Sequence, residues 1–205
     1  MVKIAENFTD KDWKSLEQKL RSNFDDKNLW DKALDIFELR LNARYIKPAE
    51  DIQRSFSVTG EGFAITAILC SLIEALETFY EGECYKHEKP RTNTEYGNGK
   101  SKALFVSFLS TKEPFKSTFN EELAEDFFKN VRCALLHEAM TRNGWIIRIN
   151  TAALVIQIDN KKVLNRFHFL DNLKTYMKDY RSVVLGSKER KNAFIRKMNC
   201  ICDNT

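Results

Sequence analysis

Several familiar signals are missing from this chain, and each absence removes a class of protein. The opening MVKIAENFTDKDW mixes acidic and basic residues where a secretory leader needs an unbroken apolar run, so export by that route is not expected. The most apolar segment, GFAITAILCSLIEALETFY, is interrupted by Glu74 and Glu77 and falls short of an uncharged membrane span. No glycine loop of the kind that cradles phosphates is present, and no paired carboxylates suggest sugar hydrolysis. Internal repeats, low-complexity blocks and linker-like changes of composition are also lacking. Cysteine is present but odd in number: Cys70, Cys84, Cys133, Cys200 and Cys202 do not suggest a disulfide scaffold, and those within apolar helical patterns read as small hydrophobes. The expectation is a soluble, cytoplasmic protein with no membrane contact.

What remains is a chain of 205 residues, 43% hydrophobic and 30% charged, enough to bury a core within one domain. Its net charge of +4 tolerates a polyanionic partner without demanding one. Thr9 and Asp12 form a capping-box pattern ahead of Trp13, Leu16, Leu20 and Phe24, which recur at helical spacing. A second helix is predicted from about Leu29 to Tyr45, with Pro48 disfavouring its continuation. Phe63 to Tyr80 is apolar on nearly every side and reads as a central helix. Residues 81–101 read as a long exposed loop, and KALFVSFLS as a short helix.

Asn120 is a good cap for EELAEDFFKNVRCALLHEAMTRNG, with Gly144 placed to end that helix. WIIRI and AALVIQI then suggest a hairpin. Leu164 through Val184 keeps helical spacing to Gly186, and a basic helical tail closes the chain. The predicted fold class is all-α: a bundle of five to six helices with a minor β-hairpin. The expected organisation is a single domain over 1–205, with a helical extension at 1–46, a core bundle at 62–185 and a basic tail at 187–205.

Within the helix after Asn120, Arg132 and His137 stand out. Five residues separate side chains by about 140° and about 7.5 Å along an ideal helix axis, so the two do not share a narrow face. The apolar face runs through Leu123, Phe127, Val131, Ala134, Leu135 and Ala139, leaving both basic groups at its margins. Two copies about a twofold axis would gather two imidazoles and two guanidinium groups around one cleft. Imidazole exchanges protons near neutrality, and guanidinium offers a fork of donors matched to phosphate oxygens. Such a cluster suits RNA cleavage without a metal. One imidazole takes the proton of a ribose 2′-hydroxyl, a second protonates the departing 5′-oxygen, and the guanidinium steadies charge on phosphorus.

Arg132-Cys-Ala-Leu-Leu-His137 is an R-x4-H motif late in a long helix, preceded by the aromatic-rich FFKNVR and followed by LLHEA, a hairpin and a helix with NRF near its start. In this setting, from about Phe63 to Val184, the chain resembles the HEPN superfamily (higher eukaryotes and prokaryotes nucleotide-binding). The resemblance implies a helical bundle that dimerises through the motif region. It also implies a metal-independent endoribonuclease with Arg132 and His137 as catalytic residues, no cofactor, and RNA as substrate. Toxin, antiphage or RNA-processing roles are further implications, with an antitoxin or nucleotidyltransferase as a possible partner. One departure stands at Cys133, where active members commonly carry a polar residue; an RNA-binding or protein-interaction module without catalysis is the alternative.

Other readings concern single residues. Arg132 also reads as an ion-pair partner of Glu122, Glu125 or Asp126 on its own helix, and His137 as a half-buried ring satisfied by a carbonyl. Cys133 and His137 share a face and could form a nucleophile pair. Cys84, His87, Cys200 and Cys202 together offer four possible zinc ligands. His168 reads as a boundary residue, and Tyr176 and Tyr180 as core or interface aromatics. Lys100, Lys102, Lys188, Arg190, Lys191, Arg196 and Lys197 form either a phosphate track or a solvated basic face.

Overall fold

The computed structural model describes residues 2–55, 60–87 and 92–203. The described residues are mainly helical. They form seven continuous helices and three small sheets, more of each than the five or six helices and one hairpin expected.

α1 (Asp10–Ser22) starts as its sequence dictates: Thr9 and Asp12 exchange the reciprocal hydrogen bonds of a capping box. α2 runs over residues 27–55, past the stop expected at Pro48. A π-helical turn at Asn42–Ile46 ends two positions before that proline, and the widened turn accommodates a residue that has no N–H to donate. α3 (Glu61–Glu81) is the central apolar helix; by length and composition it is the one described helix able to cross a membrane, and 56% of the window that meets the test is buried within the chain. α4 (Ser101–Thr111) confirms the helical reading of KALFVSFLS. α5 covers residues 121–138, α6 spans Arg166–Gly186 and α7 spans Lys188–Asp203.

Two strand pairs are brief: β1 (Lys3–Ala5) antiparallel to β2 (Phe8–Thr9), and β3 (Cys84–Tyr85) parallel to β4 (Glu95–Tyr96). The second pair lies within the segment read as an exposed loop. The third sheet comprises β5 (Trp145–Arg148), β6 (Val155–Ile158) and β7 (Lys161–Asn165) in the order β5-β7-β6. The expected pairing of β5 with β6 is therefore incorrect. β6 and β7 form the hairpin, across a turn in which Asp159 has φ 52°, and β5 lies parallel to β7. The central strand is β7 because Val163, Leu164 and Asn165 are all buried. Leu164 thus belongs to a strand instead of starting a helix, and the Asn165 carboxamide oxygen caps α6 by accepting from the N–H groups of Phe167 and His168 at 2.9 and 3.2 Å.

The described residues divide into two compact units. One comprises 1–44, 78–100 and 177–205. Its core is an aromatic cluster in which Phe37 meets Phe79, Tyr180 and Phe194, while Trp13 and Trp30 each meet Phe194 edge to face. Gly82, at φ 70°, lets α7 approach closely: a Cβ there would lie 2.6 Å from the Ala193 backbone. Cys84 is disulfide-bonded to Cys200, with Cα atoms 5.7 Å apart, a single bond that the sequence did not lead one to expect. Their separation of 116 residues gives no local spacing from which that bond could be read.

The other unit comprises 45–77 and 101–176, and Phe127 is central to it. Its ring lies within 5.1 to 6.0 Å of Trp145, Phe119, Phe169 and Phe105. Fully burying each such side chain stabilises the unit by about 1.5–3 kcal/mol. Arg166, buried at the start of α6, is ion-paired with Glu61 at the start of α3.

Candidate functional site around Arg132

α5 begins as predicted. The side-chain oxygen of Asn120 accepts from Leu123 N–H at 2.8 Å, and Glu121 and Glu122 occupy the first turn, where the helix dipole favours negative charge. Ala124, Phe127, Val131, Ala134 and Leu135 form the buried face, whereas Ala139, assigned to the same face, is exposed. The helix ends at Glu138, not at Gly144, because Ala139 adopts the left-handed conformation at φ 53° and closes the last turn. The chain then folds back, and Arg142 N–H donates to the Asn130 carbonyl at 2.8 Å.

Between these ends, Phe128–Cys133 forms a π-helical turn that contains Arg132. Such turns are rare and recur at functional sites because they displace side chains from the regular helical faces. Arg132 is about one-fifth exposed, and its Nη2 donates to Glu74 Oε2 at 3.2 Å and to Ser101 Oγ at 3.3 Å. Ser101 Oγ in turn donates to the same Glu74 oxygen at 2.7 Å, closing a three-membered polar network. The guanidinium also lies over the Phe128 ring, 5.2 Å from its centroid.

The partner of Arg132 is therefore Glu74 of α3, not Glu122, Glu125 or Asp126. Those carboxylates on α5 have other surroundings. Glu125 pairs with Lys102 at 2.8 Å. Asp126 accepts from Trp145 Nε1 at 2.7 Å, Asn130 Nδ2 at 2.8 Å and Asn143 Nδ2 at 2.9 Å, and pairs with Lys162 at 3.1 Å. Partial burial pushes the Asp126 carboxyl up, but the hydrogen bonds from Trp145, Asn143 and Lys162, with the charge of Lys162, hold it below its ordinary value.

His137 lies on the last turn of α5, exposed, with no hydrogen bond or ion pair among the described residues. The half-buried, carbonyl-satisfied ring considered from sequence is not what is found. Among the described residues nothing joins it to Arg132 or to the Cys133 thiol, so the cysteine–histidine nucleophile has no hydrogen bond there to activate it. Leu136 and Met140, on either side of it in sequence, are large apolar residues about half exposed. A free imidazole and a fixed guanidinium are thus available on one helix, without the direct contact that would make them a pair.

Elsewhere, Cys84 and Cys200 engage each other, Cys202 is buried and His87 is exposed, which corrects the four-ligand arrangement considered for zinc. No group of three or more His, Cys, Asp or Glu among the described residues could hold a metal ion. Burial pushes the Cys202 thiol up to about 11, with the Asp203 charge adding to the shift. The C-terminal cations largely turn inward: Lys191 and Lys197 are buried, Lys197 donates to the Glu83 carbonyl, and Arg190 donates to the Tyr80 carbonyl over its ring. Lys100 pairs with Glu83. Lys188 and Arg196 stay exposed, so the tail is a partly buried basic face, not a fully solvated one. His168, a boundary residue as read, contacts the Thr151 carbonyl at 3.2 Å, and Tyr176 and Tyr180 are core aromatics.

Sequence reasoning missed Glu74 and Ser101 as the partners of Arg132, and it placed Asp126 beside Arg132 instead of beneath Trp145, Asn143 and Lys162. Glu74 did leave a signal, as a charge within an otherwise apolar helix. Comparison with protein-family models, curated proteins and solved structures finds no match to this chain.

Proposed function

We propose that the protein is a HEPN-type, metal-independent endoribonuclease acting in the cytoplasm at a composite site between two copies of the chain. The observation that carries this reading is the contrast within α5: Arg132 is oriented by Glu74 and Ser101 in a π-helical turn, while His137 is exposed and uncommitted. A second copy supplies the second imidazole that the two proton transfers require, and the exposed Leu136 and Met140 give the twofold contact apolar area to bury. Arg132 binds the scissile phosphate, with Glu74 and Ser101 holding its fork in place. A toxin or antiphage effector role, restrained by an antitoxin or nucleotidyltransferase, follows from the same reading.

The test is incubation of the purified protein with mixed RNA, with and without chelator. Equal cleavage in both, products ending in 2′,3′-cyclic phosphate, and a loss of about 100-fold or more in His137→Ala and Arg132→Ala with dimerisation intact are expected. Intact RNA with wild-type protein, or undiminished cleavage by both variants, rejects the assignment.

A second reading, a non-catalytic RNA-binding or protein-interaction module, is favoured by one observation. Glu74 already neutralises the guanidinium, and Cys133, beside it, is not a polar orienting residue. It predicts that RNA is shifted in a mobility assay and recovered uncut.

A further inference from the structure

Beside Arg132 lies a cavity of about 800 Å³, within the size range of small-molecule sites. Phe128 links the two: its ring carries the Arg132 guanidinium over it, meets Phe105 edge to face, and also lines the cavity, as does Cys133. The cavity's charges are not equivalent. Lys102 is paired with Glu125 and Lys162 with Asp126, but neither Glu122 nor Lys129 has an ion-pair partner among the described residues. These two are seven positions apart, about 10 Å along a helix axis. Along α5 the wall therefore presents a free carboxylate at Glu122, the neutralised pairs Glu125–Lys102 and Asp126–Lys162, the half-buried Phe128 ring, and then the free Lys129 ahead of Arg132.

That order matches a nucleotide. A flat base stacks on a phenyl ring whatever its sequence, and such stacking is a recurrent source of affinity for single strands. An ionised carboxylate only accepts hydrogen bonds, so it selects the base whose edge presents parallel N–H donors, which is guanine with N1–H and N2–H. Lys129 and Arg132 then lie on the side where the phosphates run.

We infer that this cavity seats a guanine base of the RNA strand, adjoining the phosphate held by Arg132. The inference rests on the reading of Arg132 as a phosphate-binding group, and it assigns Glu122 to base selection and Phe128 to stacking.

The experiment titrates the full chain with guanosine, adenosine, cytidine and uridine 3′-monophosphates by calorimetry, beside cleavage mapping on a mixed-sequence RNA. Guanosine monophosphate should bind about tenfold more tightly than the others. Glu122→Gln, on the exposed surface, should abolish that preference, and Phe128→Ala should weaken all four nucleotides. Equal affinities, no saturation with the guanosine nucleotide, or an unchanged preference in Glu122→Gln overturns the inference. The two readings fail separately. Cleavage without guanine preference in binding or in mapped sites sinks the base assignment alone. Guanine-selective binding by a protein that leaves RNA uncut sinks the nuclease reading and keeps the base site.

Discussion

Asp126 gathers the indole N–H of Trp145, the carboxamides of Asn130 and Asn143 and the ammonium of Lys162 around one carboxylate. Its folded pKa is depressed, so its contribution to stability is present above the ordinary carboxylate value of about 4 and is lost as pH falls through the lower folded value. Asp126→Asn should therefore destabilise the protein at neutral pH, with the gap to wild type narrowing as the solution is acidified below about pH 4. Parallel urea-midpoint curves across that range would contradict this. The buried pair Arg166–Glu61 makes a sharper demand. Arg166→Ala leaves the Glu61 charge without its partner and should cost about 3–5 kcal/mol in urea denaturation; a loss below about 1 kcal/mol would refute that role. At this scale the sequence exposed Arg132 and His137 by their chemistry, and Glu74 by its incongruity among apolar neighbours. Asp126 gave no such sign, because its donors come from α5 and from residues 17 to 36 positions later.

Helices with clear apolar periodicity and caps were legible, α1 and the start of α5 most plainly. The strand β7 was not. Its Lys161 and Lys162 look like loop residues, and Leu164 also fits the helical period of α6, so two periodicities overlapped at one residue. The two π-helical turns were equally hidden, since neither NARYI nor FKNVRC carries a composition that marks one. Such a turn is equivalent to one residue inserted into an α-helix. Deleting Lys129, an exposed residue of the second turn, should restore regular helix while the flanking segments keep their faces. The deletion should cost no more than about 2 kcal/mol but remove the Arg132–Glu74 bond, and with it the proposed RNA cleavage. Loss of cooperative unfolding in that variant would show that the turn itself holds the unit together.

For the molecule as a whole, the bond between Cys84 and Cys200 closes a loop across 116 positions. Chain-entropy arguments assign a loop of that size about 4–5 kcal/mol, so reduction should lower the free energy of unfolding by that order, and Cys84→Ser should match the reduced protein. Identical unfolding with and without reductant would argue against the bond's contribution. Disulfides persist chiefly in oxidising compartments, so this bond sets a condition on the redox state in which the proposed cytoplasmic enzyme is fully stable. The assembly of the surrounding unit from three separate segments could not be read from local pattern, because the rings that meet there are drawn from both ends of the chain.

That arrangement constrains synthesis. Trp13, Trp30 and Phe37 leave the ribosome first, yet the Phe194 ring they share arrives about 160–180 residues later, about 8–36 s at ordinary elongation rates. During that interval Phe37 gains Phe79, but the side of Trp13 and Trp30 that Phe194 covers stays open, which makes this stretch a natural client for holding chaperones.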